Sequence, residues 1–267
     1  MPSVRVATYN VYLGADLSAL FAVTGPDELA DQVKVIRSQP DATHAGERAR
    51  AIAGLLAPER PDLVGLQEVA RWTVAPLDED GVAGPEQTFV DFRHELLGAL
   101  AAAGCAYDAC AVNENFAGAL PVSERELFGV RVDGVPVRFL NTHTEAYDPA
   151  VRDAQCKELL DLQCEVDAPV ILVGDLNARP EAVGVSDPWA DAWTEGRGTG
   201  FTCGQSADLA NLHSALAERI DYVCVRGARV LRCAVMGDRP ADRTDPHRLW
   251  PSDHAGVVAD LHLADSR

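Results

Sequence analysis

The stretch PVILVGDLNARP, residues 169–180, sets an aliphatic run of strand length ahead of Gly174, a carboxylate and, two residues later, an amide. Side chains alternate along an extended chain, so Asp175 and Asn177 are expected to point the same way on the rim of a sheet. Such a pair can hold a metal-bound water on one side and a phosphate oxygen on the other. Six further positions offer chemistry that would complete that rim. Glu68 follows the apolar run DLVGLQ and has the hard oxygen atoms that Mg²⁺ prefers. Asn10 ends VRVATYN and could support the same ion or a phosphate oxygen. His143 lies in LNTHTEA, and Ser252-Asp253-His254 sets an acid beside an imidazole just before the apolar run AGVVADLHL. Asp221, in RIDYVCV, is an acid inside an otherwise apolar segment, and a buried carboxylate needs a partner. A histidine ring is a natural one: the pair orients the imidazole and raises its pKa, so that it can donate to a developing oxyanion.

Each residue alone has an ordinary alternative. Glu68 could be a solvated strand end, Asn10 a turn former, His143 a structural histidine, and Asp221 the partner of Arg219 or Arg226. Trp72, Trp189, Trp193, Phe201 and Trp250 could line a pocket or simply pack over the core. Arg179 and Arg197 could grip a phosphate or form surface salt bridges. Together, and in this order, the polar positions say far more than any one of them alone.

The elements that must hold these groups are legible in pattern. Residues 4–9 alternate as a strand with β-branched side chains at 4, 6 and 8, and 62–67 form a second strand. Residues 13–31 carry Gly14, Gly25 and Pro26 and read as a rim loop with a short helix. A helix is expected over 45–57, closed by Pro58 and Pro61. Residues 72–87 are acidic and rich in Pro and Gly, and read as a long rim loop. Phe89, Phe92, Leu96, Leu97 and Leu100 share one face of a helix of about four turns. Residues 130–142 read as a hairpin about Asp133-Gly134. A helix over 151–166, an irregular region over 179–213, and strands over 220–225, 230–235 and 256–263 complete the chain. Helices interleaved with strands and a hairpin suggest mixed sheets packed face to face with helices outside, in one domain over 1–267.

Composition narrows the function. At 47% hydrophobic and 24% charged, the 267 residues are ordinary for a globular protein. No apolar run approaches the roughly 18 residues that cross a bilayer, and MPSVRVATYN has no apolar signal core. The seven cysteines show no metal-binding spacing and are expected to be reduced, which suits the cytoplasm. The formal charge of −18 disfavours a polyanion or an anionic membrane, although a bound cation would reverse the field locally. It tilts the substrate toward something small, and no obligate protein partner is evident.

Asn10 after a first strand, LQEV with Glu68, NTH with His143, GDLN with Asp175 and Asn177, RIDYV with Asp221 and SDH with Asp253 and His254 together resemble the endonuclease/exonuclease/phosphatase superfamily, the deoxyribonuclease-I-like fold. The resemblance runs from Asn10 to His254. It implies a four-layer α/β/β/α sandwich of two mixed sheets and Mg²⁺- or Mn²⁺-dependent hydrolysis of a phosphoester by in-line attack of water. It implies Glu68 as principal metal ligand with Asn10 beside it, and Asp253 as a metal ligand or a support for a neighbouring histidine. His254, held by Asp221, would polarise or protonate the scissile phosphate, which His143 and Asn177 would contact, while Asp175 orients or deprotonates the water. Two departures stand out. Tyr12 occupies a position often held by a small polar or acidic residue, and residues 111–130 are short for the strands that relatives carry there. A small phosphomonoester or phosphodiester is the expected substrate. Nuclease, lipid-head-group phosphodiesterase and non-catalytic scaffold are the rivals, in that order.

Overall fold

Strand β1 (Ser3–Asn10) sends Val4, Val6, Ala7 and Tyr9 into the interior and ends on a fully buried Asn10. It is the axis of a four-stranded sheet in the computed structural model, which describes residues 3–75, 85, 87–112, 126–132, 135–163 and 168–263. Its neighbours are β2 (Leu63–Gln67), which runs parallel, and β11 (Gly256–Leu263), antiparallel; β10 (Ala228–Met236) pairs beyond β11. The second sheet runs β5 (Glu126–Val132), β6 (Val135–His143), β7 (Val170–Asp175), β9 (Asp221–Arg226) and β8 (Ala190–Asp191). Only β6 and β7 are parallel in it. Both sheets are therefore mixed.

The sheets pack face to face through Val4, Val6, Phe139, Ile171, Val173, Val223, Val257, Ala259 and Leu261. Outside the first sheet, α2 (Ala45–Glu59) and α3 (Phe92–Ala102) bury Ile52, Leu56, Phe92, Leu96 and Leu100 against Ala7, Tyr9 and Val258. Outside the second, α4 (Pro149–Gln163) presents Cys156 and Leu159 to Leu140, Leu172 and Cys224. The layers are α/β/β/α, as expected. Gly65 sits at a close approach between the sheets: a Cβ there would lie 2.5 Å from Val173 Cγ2 and 2.6 Å from Asn141 Oδ1.

Several boundaries differ from the sequence reading. Residues 13–31 are not one loop. A 3-10 turn (Ser18–Ala22) is followed by α1 (Pro26–Ala42), with Gly25 as its N-cap and Pro26 at N1, where proline's missing N–H costs nothing. Its Leu29, Val33 and Val35 are exposed, and of its described side chains only Ile36 and Pro40 are buried. In α2, Pro58 lies inside the last turn, and the helix stops at Arg60 in the left-handed conformation. The ends of the expected 72–87 loop belong to an antiparallel ribbon of β3 (Arg71–Val74) and β4 (Gln87–Asp91); 76–84 and 86 lie outside the described residues. Phe89 belongs to β4 rather than to α3, whose start is fixed by the Asp91 carboxylate accepting from His94 N–H at 3.0 Å. The hairpin extends back to Glu126, while its 133–134 turn and residues 113–125 lie outside the described residues. Among residues 179–213, only α5 (Pro180–Val183), β8 and a 3-10 turn (Ala192–Glu195) are regular.

The six described cysteines are free thiols. No described helix is long and apolar enough to cross a membrane.

Candidate active site

Strand register, before any side chain is considered, brings the nominated positions together. His143 pairs with Asp175 across β6 and β7, and Asp175 pairs with Asp221 across β7 and β9. β9 runs antiparallel to β7, so its first residue meets the last residues of the other two. In the facing sheet, Asn10 ends β1 opposite Gln67, which ends β2, and Glu68 follows. The SDH segment precedes β11, which is antiparallel to β1 and so starts at the same rim. One edge of the sandwich gathers all of them.

The side chains converge on Asp175, which is buried. Its Oδ2 accepts from Asn10 Nδ2 at 3.0 Å and lies 3.5 Å from His143 Nε2 and 3.7 Å from His254 Nε2. Asn10 Nδ2 also donates to Glu68 Oε1 at 2.9 Å, and His143 Nε2 stands 4.0 Å from that same oxygen. Leu13 N–H donates to Glu68 Oε2 at 2.9 Å. Glu68 takes a left-handed backbone (φ 58°), as do Tyr12 (φ 58°) and Asn177 (φ 45°). Side-chain-bearing residues pay strain in this region, and such residues concentrate at functional sites.

His254 is held from behind. Its Nδ1 lies 2.9 Å from Asp221 Oδ2, and because a carboxylate only accepts, Nδ1 carries the proton and Nε2 faces the site. Burial works against the imidazolium, but Asp221 and Asp175 outweigh it and hold the ring's pKa well above the usual histidine value. Burial pushes the Asp221 carboxyl up, and the ring's charge opposes that rise. Asp221 is thus the partner of His254 rather than of an arginine; Arg219 pairs with Asp191 at 2.7 Å. Asp253 is next to the site without a hydrogen bond to either histidine; its Oδ1 stands 3.2 Å from Ser252 Oγ, whose one proton goes to the nearer Asn10 carbonyl. Burial pushes the Asp253 carboxyl up to about 6, with Glu68 adding to the rise.

Asn177 reaches the site differently from the expectation. β7 stops at Asp175, so alternation along a strand does not place Asn177. Instead its N–H donates to Asp175 Oδ1 at 2.8 Å in a tight turn, and its Nδ2 donates to the Thr144 carbonyl at 3.0 Å.

Glu68, Asp175, Asp221 and Asp253 set four carboxylates against two imidazoles. The excess of carboxylates over imidazoles is what a divalent cation would neutralise. Glu68 has one donor on each oxygen, which leaves lone pairs on both for a hard ion. The donor set therefore fits the metal that the motifs imply. Asp175, Asp221 and His254 also present ligand atoms within 4.8 Å of one another.

Three supports escaped the sequence reading. Ser252 Oγ donates to the Asn10 carbonyl at 2.7 Å and accepts from His254 N–H at 3.1 Å, tying SDH to the tip of β1. Gln67 Nε2 donates to Asn141 Oδ1 at 2.6 Å, and Asn141 Nδ2 to the Leu66 carbonyl at 2.9 Å, a polar bridge between the sheets just behind the site. Arg48 is buried in α2 and donates to the carbonyls of Val11 at 2.7 Å, Thr43 at 3.0 Å and Tyr12 at 3.3 Å, with Pro251 at 3.4 Å. An arginine on the apolar face with Ala49, Ile52 and Leu56 was the available signal.

The aromatic candidates are mostly packing residues. Trp250 is fully buried with Nε1 on the Asn211 carbonyl, and Trp189 is buried with Nε1 on that of Leu160. Trp193 packs on the inter-sheet core, and Trp72 donates to the Leu13 carbonyl at 2.7 Å. Phe201 alone of the five is exposed. Tyr12 is buried with Leu209, Leu249 and Trp250, its hydroxyl on the Ala207 carbonyl at 3.0 Å. Arg179 pairs with Glu218.

Comparison with known proteins places the chain by family and fold. The family model described as Endonuclease/Exonuclease/phosphatase family matches residues 7–254. No curated protein matches the chain. Among solved structures, a family protein from Bacteroides thetaiotaomicron superposes with a TM-score of 0.60 at 17% identity, covering 99% of both chains. Truncated TDP2 from Caenorhabditis elegans gives 0.58 at 20% identity, covering 97% of this chain and 98% of that one. TDP2 from D. rerio, complexed with a single-strand DNA product, gives 0.54 at 16% identity over 97% and 99%. With the model spanning nearly all of the chain, the protein belongs to the endonuclease/exonuclease/phosphatase family and is a metal-dependent hydrolase of phosphoester bonds.

Proposed function

We propose that the chain hydrolyses a small phosphorylated substrate, a phosphomonoester or small phosphodiester, with Mg²⁺ or Mn²⁺ bound at Glu68 and Asn10 and with Asp253 at its edge. The observation that carries this is the approach of Asn10, His143 and His254 to a single oxygen of Asp175. The cation supplies charge to a phosphoryl oxygen and lowers the barrier to adding negative charge there. The rest falls to side chains. Asp175 is the carboxylate that aligns and deprotonates the attacking water, because it is buried, central and fixed by Asn10. His254 Nε2, kept protonated by Asp221 behind it, donates to the phosphoryl group, and His143 Nε2 donates from the other side. Asn177 turns its remaining amide proton to a phosphoryl oxygen.

The small substrate is favoured by the formal charge of −18, which repels a polyanion across most of the surface. The rim arginine Arg179 is engaged with Glu218. A nuclease is the second reading, favoured by the likeness to a relative solved with a single-strand DNA product. The test is turnover of phosphomonoesters, nucleotides, small phosphodiesters, single-strand DNA and supercoiled plasmid with Mg²⁺ or Mn²⁺, comparing wild type with Asp175→Asn. Turnover of a small ester that Asp175→Asn loses supports the proposal. Rapid DNA cleavage with no small-ester turnover gives the answer to the second reading, and inactivity on every substrate refutes both.

A further inference from the structure

Away from the catalytic edge, His44, Glu47 and His247 bring three ligand atoms within 4.8 Å of one another. His44 precedes α2, Glu47 lies in its first turn, and His247 comes from residues 237–255, the segment between β10 and β11. The two imidazole rings stack at 3.9 Å between centroids and 10° between planes. His247 Nδ1 meets Glu47 Oε1 at 2.6 Å. The other oxygen, Glu47 Oε2, is buried with no hydrogen-bond partner, on a side chain only 10% exposed. A buried carboxylate oxygen left without a proton, a donor or a cation is costly, and each such atom calls for an explanation.

We propose that His44, Glu47 and His247 form a second metal site, selective for a borderline ion of the Zn²⁺ class. Two imidazoles and one carboxylate are the ligand set such ions take, with metal–ligand distances of about 2.0–2.2 Å and a fourth position open to water. Mg²⁺ avoids imidazole and would keep to the oxygen-rich catalytic edge. The ion replaces the proton between His247 Nδ1 and Glu47 and satisfies the stranded Oε2. Parallel rings do not aim their nitrogens at one point, so binding fans them apart. His247 can do this, since its side chain is 50% exposed.

The position gives the site a purpose. Residues 237–255 carry Ser252, Asp253 and His254 near their end, and α2 carries Arg48, whose guanidinium reaches the Pro251 carbonyl. An ion shared by Glu47 and His247 would clasp that segment to the helix one residue away from Arg48. Its occupancy would then steady the loop that delivers His254.

The test is calorimetric titration of ZnCl₂ into protein saturated with Mg²⁺, with Co²⁺ absorption as a report on coordination. One equivalent of Zn²⁺ is expected in wild type and in Asp175→Asn, with loss of at least tenfold in affinity in both His247→Ala and Glu47→Gln. Co²⁺ should give the intense visible bands of a four-coordinate site, absent in His247→Ala. Zn²⁺ should raise the unfolding midpoint of wild type by about 5 °C at saturation and leave His247→Ala unmoved. No Zn²⁺ uptake by wild type, uptake unchanged in His247→Ala, or uptake abolished by Asp175→Asn would each overturn the proposal; the last would put the ion in the catalytic cluster.

Discussion

Asp175 Oδ2 has three nitrogens around it, and only one of them, from Asn10, is at full hydrogen-bond distance. The histidines at 3.5 and 3.7 Å stand back, at the distance of groups that serve something placed between them. His254→Ala should therefore lower kcat by about 10²–10⁴, the usual worth of a positioned acid. Asp221→Asn should lower it by a similar factor, because the amide cannot stabilise the imidazolium. The double variant should be little worse than His254→Ala, since the two side chains act as one unit. Steady-state kinetics on the best substrate checks all three, and additive losses would separate the pair. At this scale the sequence was informative wherever a polar residue broke an apolar run, as at Asp221 and Asp175. It was silent on Arg48 and on the tie that Ser252 makes, because their partners are backbone groups that no side-chain motif records.

Elements place these residues through register and close approach. Gly65 in β2 is the clearest case, because any side chain there would meet Val173 and Asn141 of the facing sheet. Gly65→Ala should destabilise the protein by roughly 1–3 kcal/mol, the range for overpacking, and should also loosen the Gln67–Asn141 bridge. Urea unfolding measures the first effect. On the same sheet, Glu59 at the end of α2 receives Arg232 through two bonds, at 2.8 and 3.0 Å. Arg232 holds the Glu59 carboxyl below its ordinary 4.5. A depressed carboxyl stabilises the fold above its unfolded pKa and loses that contribution as pH falls through the folded one. Glu59→Gln should thus cost about 0.5–1 kcal/mol at pH 7, the scale for a partly exposed pair, and progressively less below pH ~4. A cost that persists at pH 3 would contradict the ion-pair account. The β-strands were legible because their aliphatic runs are short and bounded. α1 was not, because among its described side chains only Ile36 and Pro40 are buried, and β3 and β4 were hidden at the edges of a Pro- and Gly-rich stretch.

The whole molecule carries a formal −18, yet its chemistry is on an anion. Raising ionic strength shortens the Debye length from about 30 Å at 0.01 M to about 8 Å at 0.15 M, which screens the distant surface more than the cation in the site. With Mg²⁺ held saturating, KM for an anionic ester should fall as NaCl rises across that range. A KM that climbs instead, as for a basic nuclease, would show that local positive charge governs approach. Net charge was read directly from the composition, and the interleaving of helices with strands and a hairpin already suggested mixed sheets packed face to face. Pattern says which strands exist and leaves their order in the sheets open. The order matters for one feature in particular. β9 belongs to one sheet and β10 to the other, and the single residue Gly227, at φ 68°, joins them at the end opposite the site. The molecule is closed at that end like the spring of a pair of tweezers, with the reacting groups on the tips. What sets the gap between the tips is the thickness of the aliphatic layer between the arms, built from Val4, Val6, Ile171, Val173 and Val257. The spacing of Asn10, Asp175 and His254 across the tips is thus set by packing that lies well behind the reacting groups.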